Sequence, residues 1–191
     1  GLQCGGSDAT SGLFGNIVTG NVSDYIVNAG GTTILSETAE ILGAEHILAK
    51  RCINQPVADT LLANVSFVEN YAKSLGIDLI GTNPVPDNIA GGLSTIEEKS
   101  LGAIKKAGSS VLQEVISYGD RPKRKGFIFM DGPAPAIENM TGLAAAGANV
   151  IIFYTGQGNH SGNPIVPVIK SCGNPDTTRA MGANIDVDLS A

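Results

Sequence analysis

Five times in this chain a short apolar run stops at glycines, or at a hydroxyl or carboxylate. Leu2–Cys4 runs into Gly5-Gly6-Ser7-Asp8, Thr32–Ser36 into Glu37, and Gly126–Met130 into Asp131-Gly132-Pro133. Asn149–Tyr154 stops at Thr155-Gly156-Gln157-Gly158, and Val166–Lys170 at Ser171-Cys172. Runs this short, with little polar alternation, are strands buried on both faces. Segments of helical spacing separate them. That alternation predicts an α/β fold: a three-layer sandwich around a mostly parallel, doubly wound, Rossmann-like sheet, as one domain over 1–191. Ligands of such sheets bind beyond the carboxyl ends of the strands. Cys4 to Asp8, Ser36-Glu37, Asp131, Thr155 to Gly158 and Ser171-Cys172 are therefore expected to converge.

The connecting segments carry their own punctuation. Ile17, Val18, Val22, Tyr25, Ile26 and Ala29 give one apolar helical face that Gly30-Gly31 ends. Thr38 to Arg51 reads as helical. A helix from Pro56 is lined by Val57, Leu61, Val65, Val68, Ala72 and Leu75 and capped by Gly76. Ile77 to Ile80 reads as a short strand or a buried turn. Two prolines and two glycines make Asn83 to Gly92 an irregular loop. Ser94-Thr95-Ile96-Glu97 has the form of a capping box. Extended runs are expected at Val111 to Tyr118 and Ile185 to Leu189, and helices over Glu138 to Ala146 and from Asn174-Pro175.

Charge and cysteine content exclude several function classes. The net charge is −6, and the one basic run, Arg121-Pro122-Lys123-Arg124-Lys125, reads as a solvated loop, so nucleic acid is not a partner. No apolar run reaches membrane-spanning length. Cys4, Cys52 and Cys172 are odd in number and lack zinc spacing, which predicts free thiols and a cytoplasmic setting. The chain opens inside an apolar run without an initiator Met, as expected of a domain taken from a longer protein.

Candidate chemistry gathers at the strand ends. Gly5 and Gly6 let the backbone approach a ligand, and Ser7 or Asp8 caps a following helix, an anion site in outline. Glu37 and Glu40 stand one helical turn apart: a divalent-metal pair, a general base, or simply a helix start. Cys4 reads as a metal ligand or as a buried small residue. His46, near Glu40 and Glu45, reads as a surface residue, whereas His160 sits in the glycine loop Thr155 to Gly162, where ligand contact is favoured. No dinucleotide fingerprint, Walker A sequence or nucleophile elbow is present.

Taken together, Cys4-Gly-Gly-Ser-Asp8 with Ser11-Gly12 and Asn16, and then Ser36-Glu37-Thr-Ala-Glu40, resemble the altronate/galactarate dehydratase family. So do Asp87-Asn88 before Gly91-Gly92-Leu93, Glu98-Lys99-Ser100-Leu101-Gly102, Lys125-Gly126-Phe127 before Met130-Asp131, and Thr155-Gly156-Gln157-Gly158. The match runs in order along nearly the whole chain and resembles that family's carboxy-terminal domain. The resemblance implies a lyase that removes water from a sugar acid with a divalent iron or manganese ion. It implies a small anionic hydroxy acid as ligand and an amino-terminal domain or small subunit as partner; a homo-oligomer is compatible with it. Glu37 or Lys99 would take the α-proton. Glu37, Glu40 and Cys4 would hold the metal. Gly5, Gly6, Ser7, Asp8, Asn16, Asn88, Thr155, Gly156, Gly158 and His160 would bind substrate. Ile89 and Gln157 depart from the family pattern, which carries a lysine and an arginine there. These changes, with Gly162-Asn163-Pro164-Ile165-Val166-Pro167, resemble the sulfolactate sulfo-lyase branch, which expels sulfite. A binding or subunit domain without its own catalysis is the reading from another class.

Overall fold

Side chains alternate across a strand, and Gly126–Met130 shows the consequence here. Phe127 and Phe129 enter one apolar cluster, Ile128 and Met130 another, and all four are fully buried. A sheet with two such faces needs cover on both. The computed structural model describes residues 1–77, 79 and 83–190. Its seven strands are β1 (Leu2–Cys4), β2 (Thr32–Leu35), β3 (Leu112–Ile116), β4 (Gly126–Met130), β5 (Ile151–Tyr154), β6 (Val168–Cys172) and β7 (Val187–Asp188). They lie in the order β3-β4-β2-β1-β5-β6-β7, with every pairing parallel.

The α-helices are α1 (Asn16–Asn28), α2 (Glu45–Ala49), α3 (Gln55–Ser74), α4 (Pro86–Ala90), α5 (Ile96–Ala103), α6 (Ala136–Ala145) and α7 (Pro175–Met181). Leu48 of α2, Leu61 and Val65 of α3, and Ile104 and Ala107 of a 3-10 turn after α5 cover one face. Met140 and Leu143 of α6 cover the other. The three-layer α/β sandwich is therefore present. From β1 the chain moves toward β2, and from β5 it moves the opposite way toward β6. The loops leaving β1 and β5 thus part, and a crevice opens between them.

The helix expected over Ile17 to Ala29 forms, but it is turned. Its buried residues are Asn16, Thr19, Gly20 and Ser23, while Ile17, Val18 and Tyr25 are exposed. Close approach is the reason. A Cβ on Gly15 would lie 2.0 Å from the Tyr154 ring, and one on Gly20 2.1 Å from the Lys105 carbonyl. Only small residues fit that side, so packing overrides apolar periodicity. Helix α1 is entered through a π-helical turn, Ser11–Gly15.

Other boundaries move for local reasons. Thr38 to Arg51 is broken into a 3-10 turn, Thr38–Ile41, and α2, because Gly43 between them sits at φ 89°. The segment Asn83 to Gly92 is not wholly irregular: α4 lies inside it, with Pro86 in its first turn. The expected capping box shifts by one residue, since Thr95 Oγ1 accepts from Glu98 N at 3.1 Å and the Glu98 carboxylate takes Ser94 N at 2.7 Å. Strand β6 starts later than expected because Asn163 Oδ1 holds the amides of Ile165 and Val166 in a turn. Asn54, not Pro56, sets the start of α3, its side chain accepting from Val57 N at 3.1 Å. The reading of Ile77 to Ile80 falls partly on residues 78 and 80, outside the described residues. All three cysteines are unpaired. Among the described residues no helix is long and apolar enough to cross a membrane.

Candidate active site

Gly6, at φ 62°, turns the chain out of β1, and its carbonyl accepts the amides of both Gly156 and Gln157. That stitch ties the β1 and β5 loops together at the crevice. Asn88 adds α4 to them: its amide nitrogen donates to the Ser7 carbonyl at 2.9 Å, and its oxygen accepts from Val85 N at 3.1 Å. Gln157 Nε2 donates to the Asp87 carbonyl at 2.5 Å. The result is a cleft of about 640 Å³ at the carboxyl edge of the sheet. Cys4, Gly5, Gly6, Ser7, Glu40, Asn88, Lys99 and Gly158 line it, so much of the expected set converges.

The cleft wall carries charges of both signs, with Glu40 and Asp87 among its lining residues. Lys99 is the one cation among its described lining residues. Its ammonium donates to Glu40 Oε1 at 3.0 Å and Asn83 Oδ1 at 2.5 Å, which leaves one of three donors free. The amides of Gly6 and Ser7 find no hydrogen-bond partner among the described residues. Ala134, Pro135 and Ala136 bring the amino end of α6 to the same wall, and no side chain caps it. Glu40 is buried, and its Oε2 has no partner.

Glu37 lies behind this wall rather than in it. It is buried, and it is the one non-glycine at positive φ, 72°, among the described residues. Its Oε1 accepts from Gln3 Nε2 at 2.6 Å, and its Oε2 touches the Lys106 ammonium. Lys106 also lies 2.8 Å from Cys4 Sγ. Asn139 of α6 donates to Gln3 Oε1, so the chain of buried polar groups runs through the sheet. Burial pushes the Glu37 carboxyl up to about 7, against the opposing pull of Lys106. Burial also pushes the Cys4 thiol up. Burial alone would lower Lys106, but Cys4 and Glu37 together raise it. The two carboxylates, three residues apart in the sequence, thus each have a lysine: Glu37 has Lys106, and Glu40 has Lys99.

This pairing bears on the expected metal ligands. Glu37 and Cys4 are both committed to Lys106, and among the described residues no three of His, Cys, Asp and Glu come together to hold an ion. Of the three, only Glu40 keeps a free oxygen. The residues present do not make a metal site by themselves.

Several expected ligand residues sit elsewhere. Asp8 caps the π-helical turn: its Oδ1 accepts from Ser11 N at 3.2 Å and Thr10 Oγ1 at 2.5 Å, and its Oδ2 from Asn174 at 2.9 Å. Asp8 and Asn16 line a second cavity of about 250 Å³ that shares Ser7 and Lys99 with the cleft. Asn16 donates to the Gly102 carbonyl at 3.1 Å, and its Oδ1 is unpartnered. Thr155 and Gly156 are buried beneath the β5 loop; a Cβ on Gly156 would meet Asp8 Oδ1 at 2.1 Å. His160 and His46 are exposed and line neither cavity.

Lys106, Gln3 and Asn139 escaped the sequence reading. Two signals were available. Lys99, Ala103 and Lys106 repeat at helical spacing beside a buried Ile104, and Gln3 is a lone amide inside an apolar strand.

The family model that matches this chain is that of the D-galactarate/altronate dehydratase carboxy-terminal region, over residues 1–191. A (2R)-sulfolactate sulfo-lyase subunit beta from Chromohalobacter salexigens is 42% identical over 98% of this chain and 49% of its own length. Altronate dehydratase of Escherichia coli is 38% identical over 98% of this chain and 38% of its own. Galactarate dehydratase (L-threo-forming) of the same organism is 41% identical over 89% and 32%. The chain spans less than half the length of these curated relatives.

Proposed function

This chain belongs to the D-galactarate/altronate dehydratase family, as its carboxy-terminal region, and on that premise we propose that it forms the reaction cleft of a lyase acting on a small 2-hydroxy acid. The observation that carries the proposal is the pairing, at the wall of one cleft, of the Lys99 ammonium, with one donor spare, and Glu40, whose buried Oε2 has no partner. Lys99 and the Gly6 and Ser7 amides hold the substrate carboxylate and the charge that develops on it when C2 loses its proton. Glu40, not Glu37, takes that proton, because Glu37 is spent on Gln3 and Lys106. The electron pair expels the group on C3, and the enol left behind tautomerises to a 2-keto acid. An iron or manganese ion serving this reaction would find one donor here, Glu40, and take its other ligands from outside this chain.

The leaving group is hydroxide for a sugar acid. A second reading, sulfite from a sulfolactate-like acid, is supported by the 42% identity to the sulfo-lyase subunit. The same residues serve both eliminations. Gln157 supports the second reading: it is uncharged, and its amide is spent on Asp87, so it adds no cation for a longer polyhydroxy chain. The test is turnover of altronate, galactarate and sulfolactate by the full-length protein, read as 2-keto acid and as sulfite. Glu40→Gln is expected to lower turnover about a hundredfold or more, the range of a lost general base. Undiminished turnover in that variant would place the base elsewhere.

A further inference from the structure

Lys106 Nζ and Cys4 Sγ lie 2.8 Å apart. The other two N–H···S contacts among the described residues, Asn174 N to Cys172 Sγ and Gly119 N to Met130 Sδ, both span 3.4 Å. The lysine nitrogen is thus held much closer to sulfur than an ordinary hydrogen bond holds it, at a separation that a single bridging oxygen atom fills. Both side chains are locked in place. Lys106 is 1% exposed and its ammonium also touches Glu37 Oε2; Cys4 is 5% exposed at the end of β1. Cys4 is nevertheless among the residues that line the cleft, which brings a small oxidant that enters with substrate next to this pair. Cys52 and Cys172 have no lysine contact of this kind among the described residues.

We propose that Cys4 and Lys106 are an oxidative modification site, joined by peroxide or dioxygen through a covalent S–O–N bridge. The ammonium first gives its extra proton to the Glu37 carboxylate that it touches. The thiol and the amine then lose one hydrogen each, and one oxygen enters between sulfur and nitrogen. Four electrons leave the pair, two from sulfur and two from nitrogen. Two molecules of hydrogen peroxide take them and yield three of water in all; one dioxygen takes the same four and yields one water. Two molecules of a dithiol reductant return the four electrons and four protons, the bridging oxygen leaves as water, and the Cys4 thiol and Lys106 amine are restored. The bridge ties β1 to the 3-10 turn Ile104–Ala107 and takes from Glu37 the one cation it pairs with among the described residues. It therefore changes the wall of the cleft without filling it.

The experiment is intact-mass and peptide mass spectrometry of the full-length protein, treated with hydrogen peroxide under native conditions, and it needs no assay of elimination. The bridge adds about 14 Da, whereas oxidation of cysteine alone adds one, two or three whole oxygens. The expected result is the lighter increment, mapped to a crosslink between the peptides that contain Cys4 and Lys106 and removed by dithiothreitol. Cys4→Ser is expected to abolish it; if that variant does not fold, the wild-type crosslink map decides alone. Whole-oxygen increments at Cys4, or no change, would overturn the proposal. Where turnover is also followed, it is expected to fall with bridge formation and recover with dithiothreitol.

Discussion

Replacing Lys106 by Met removes a buried cation while keeping nearly the same volume. Glu37 then keeps no cation partner among the described residues, since Gln3 offers it only a neutral amide. In the wild type the folded carboxyl already stands at about 7, above its ordinary 4.5, so between pH 4.5 and pH 7 both proteins keep Glu37 protonated and lose stability alike as pH rises. Above pH 7 they part: beside Lys106 the wild-type carboxyl ionises, whereas without that cation the folded variant holds its proton and the unfolded chain does not. Each pH unit above 7 then costs the variant about 1.4 kcal/mol more than the wild type, roughly 3–6 °C in melting temperature for a chain this size. Urea unfolding of wild type and variant at several values from about pH 5 to about pH 9 measures the difference. The gap between the two proteins is expected to stay constant below pH 7 and to widen above it. A penalty that stays constant across the whole range would mean that Lys106 acts through packing, and the charge argument would be refuted.

Further outcomes follow from single contacts. Gly15→Ala pushes a methyl into the buried Tyr154 ring, and is expected to destabilise by about 1–3 kcal/mol in thermal melts, whereas Gly182→Ala, with open space around it, changes little. Asn54→Ala removes the side chain that accepts from Val57 N, at a cost of about 1 kcal/mol by urea unfolding. Asn88→Ala breaks the bond that ties α4 to the Ser7 carbonyl of the β1 loop and the bond from Val85 N at the start of α4. It should therefore lower stability by about 1–3 kcal/mol as well as turnover of the full-length protein, and a variant that loses neither would show that the clamp is idle.

What the sequence disclosed, and what it withheld, divides along one physical line. Strands, caps and strand-end loops are local, and they were legible: β4 falls on Gly126–Met130 as expected, Asn174 caps α7, and the glycine turns after β1 and β5 meet at the crevice. Helix orientation is not local. The apolar pattern of α1 pointed its Ile17 and Tyr25 inward, yet the face that packs carries Gly15, Asn16, Thr19, Gly20 and Ser23. A backbone-to-backbone approach selects for absence of side chain, and apolar periodicity cannot register an absence. The glycines themselves were the signal, since Gly12 and Gly102 touch in the same way. Charge pairing is not local either. Glu37 and Glu40 lie three residues apart and looked like one acidic centre that wanted a metal. Their partners, Lys106 and Lys99, come from one helical face of the segment that spans α5 and the turn after it, far along the chain. Glu37 sits at positive φ, and the backbone turns between the two carboxylates: one is buried against Gln3 and Lys106, and the other belongs to a residue that lines the cleft. One conformational choice at one residue therefore separates a buried structural pair from a pair that faces the ligand. A single-sequence reading has no access to it, since nothing in the type of residue 37 announces a left-handed backbone.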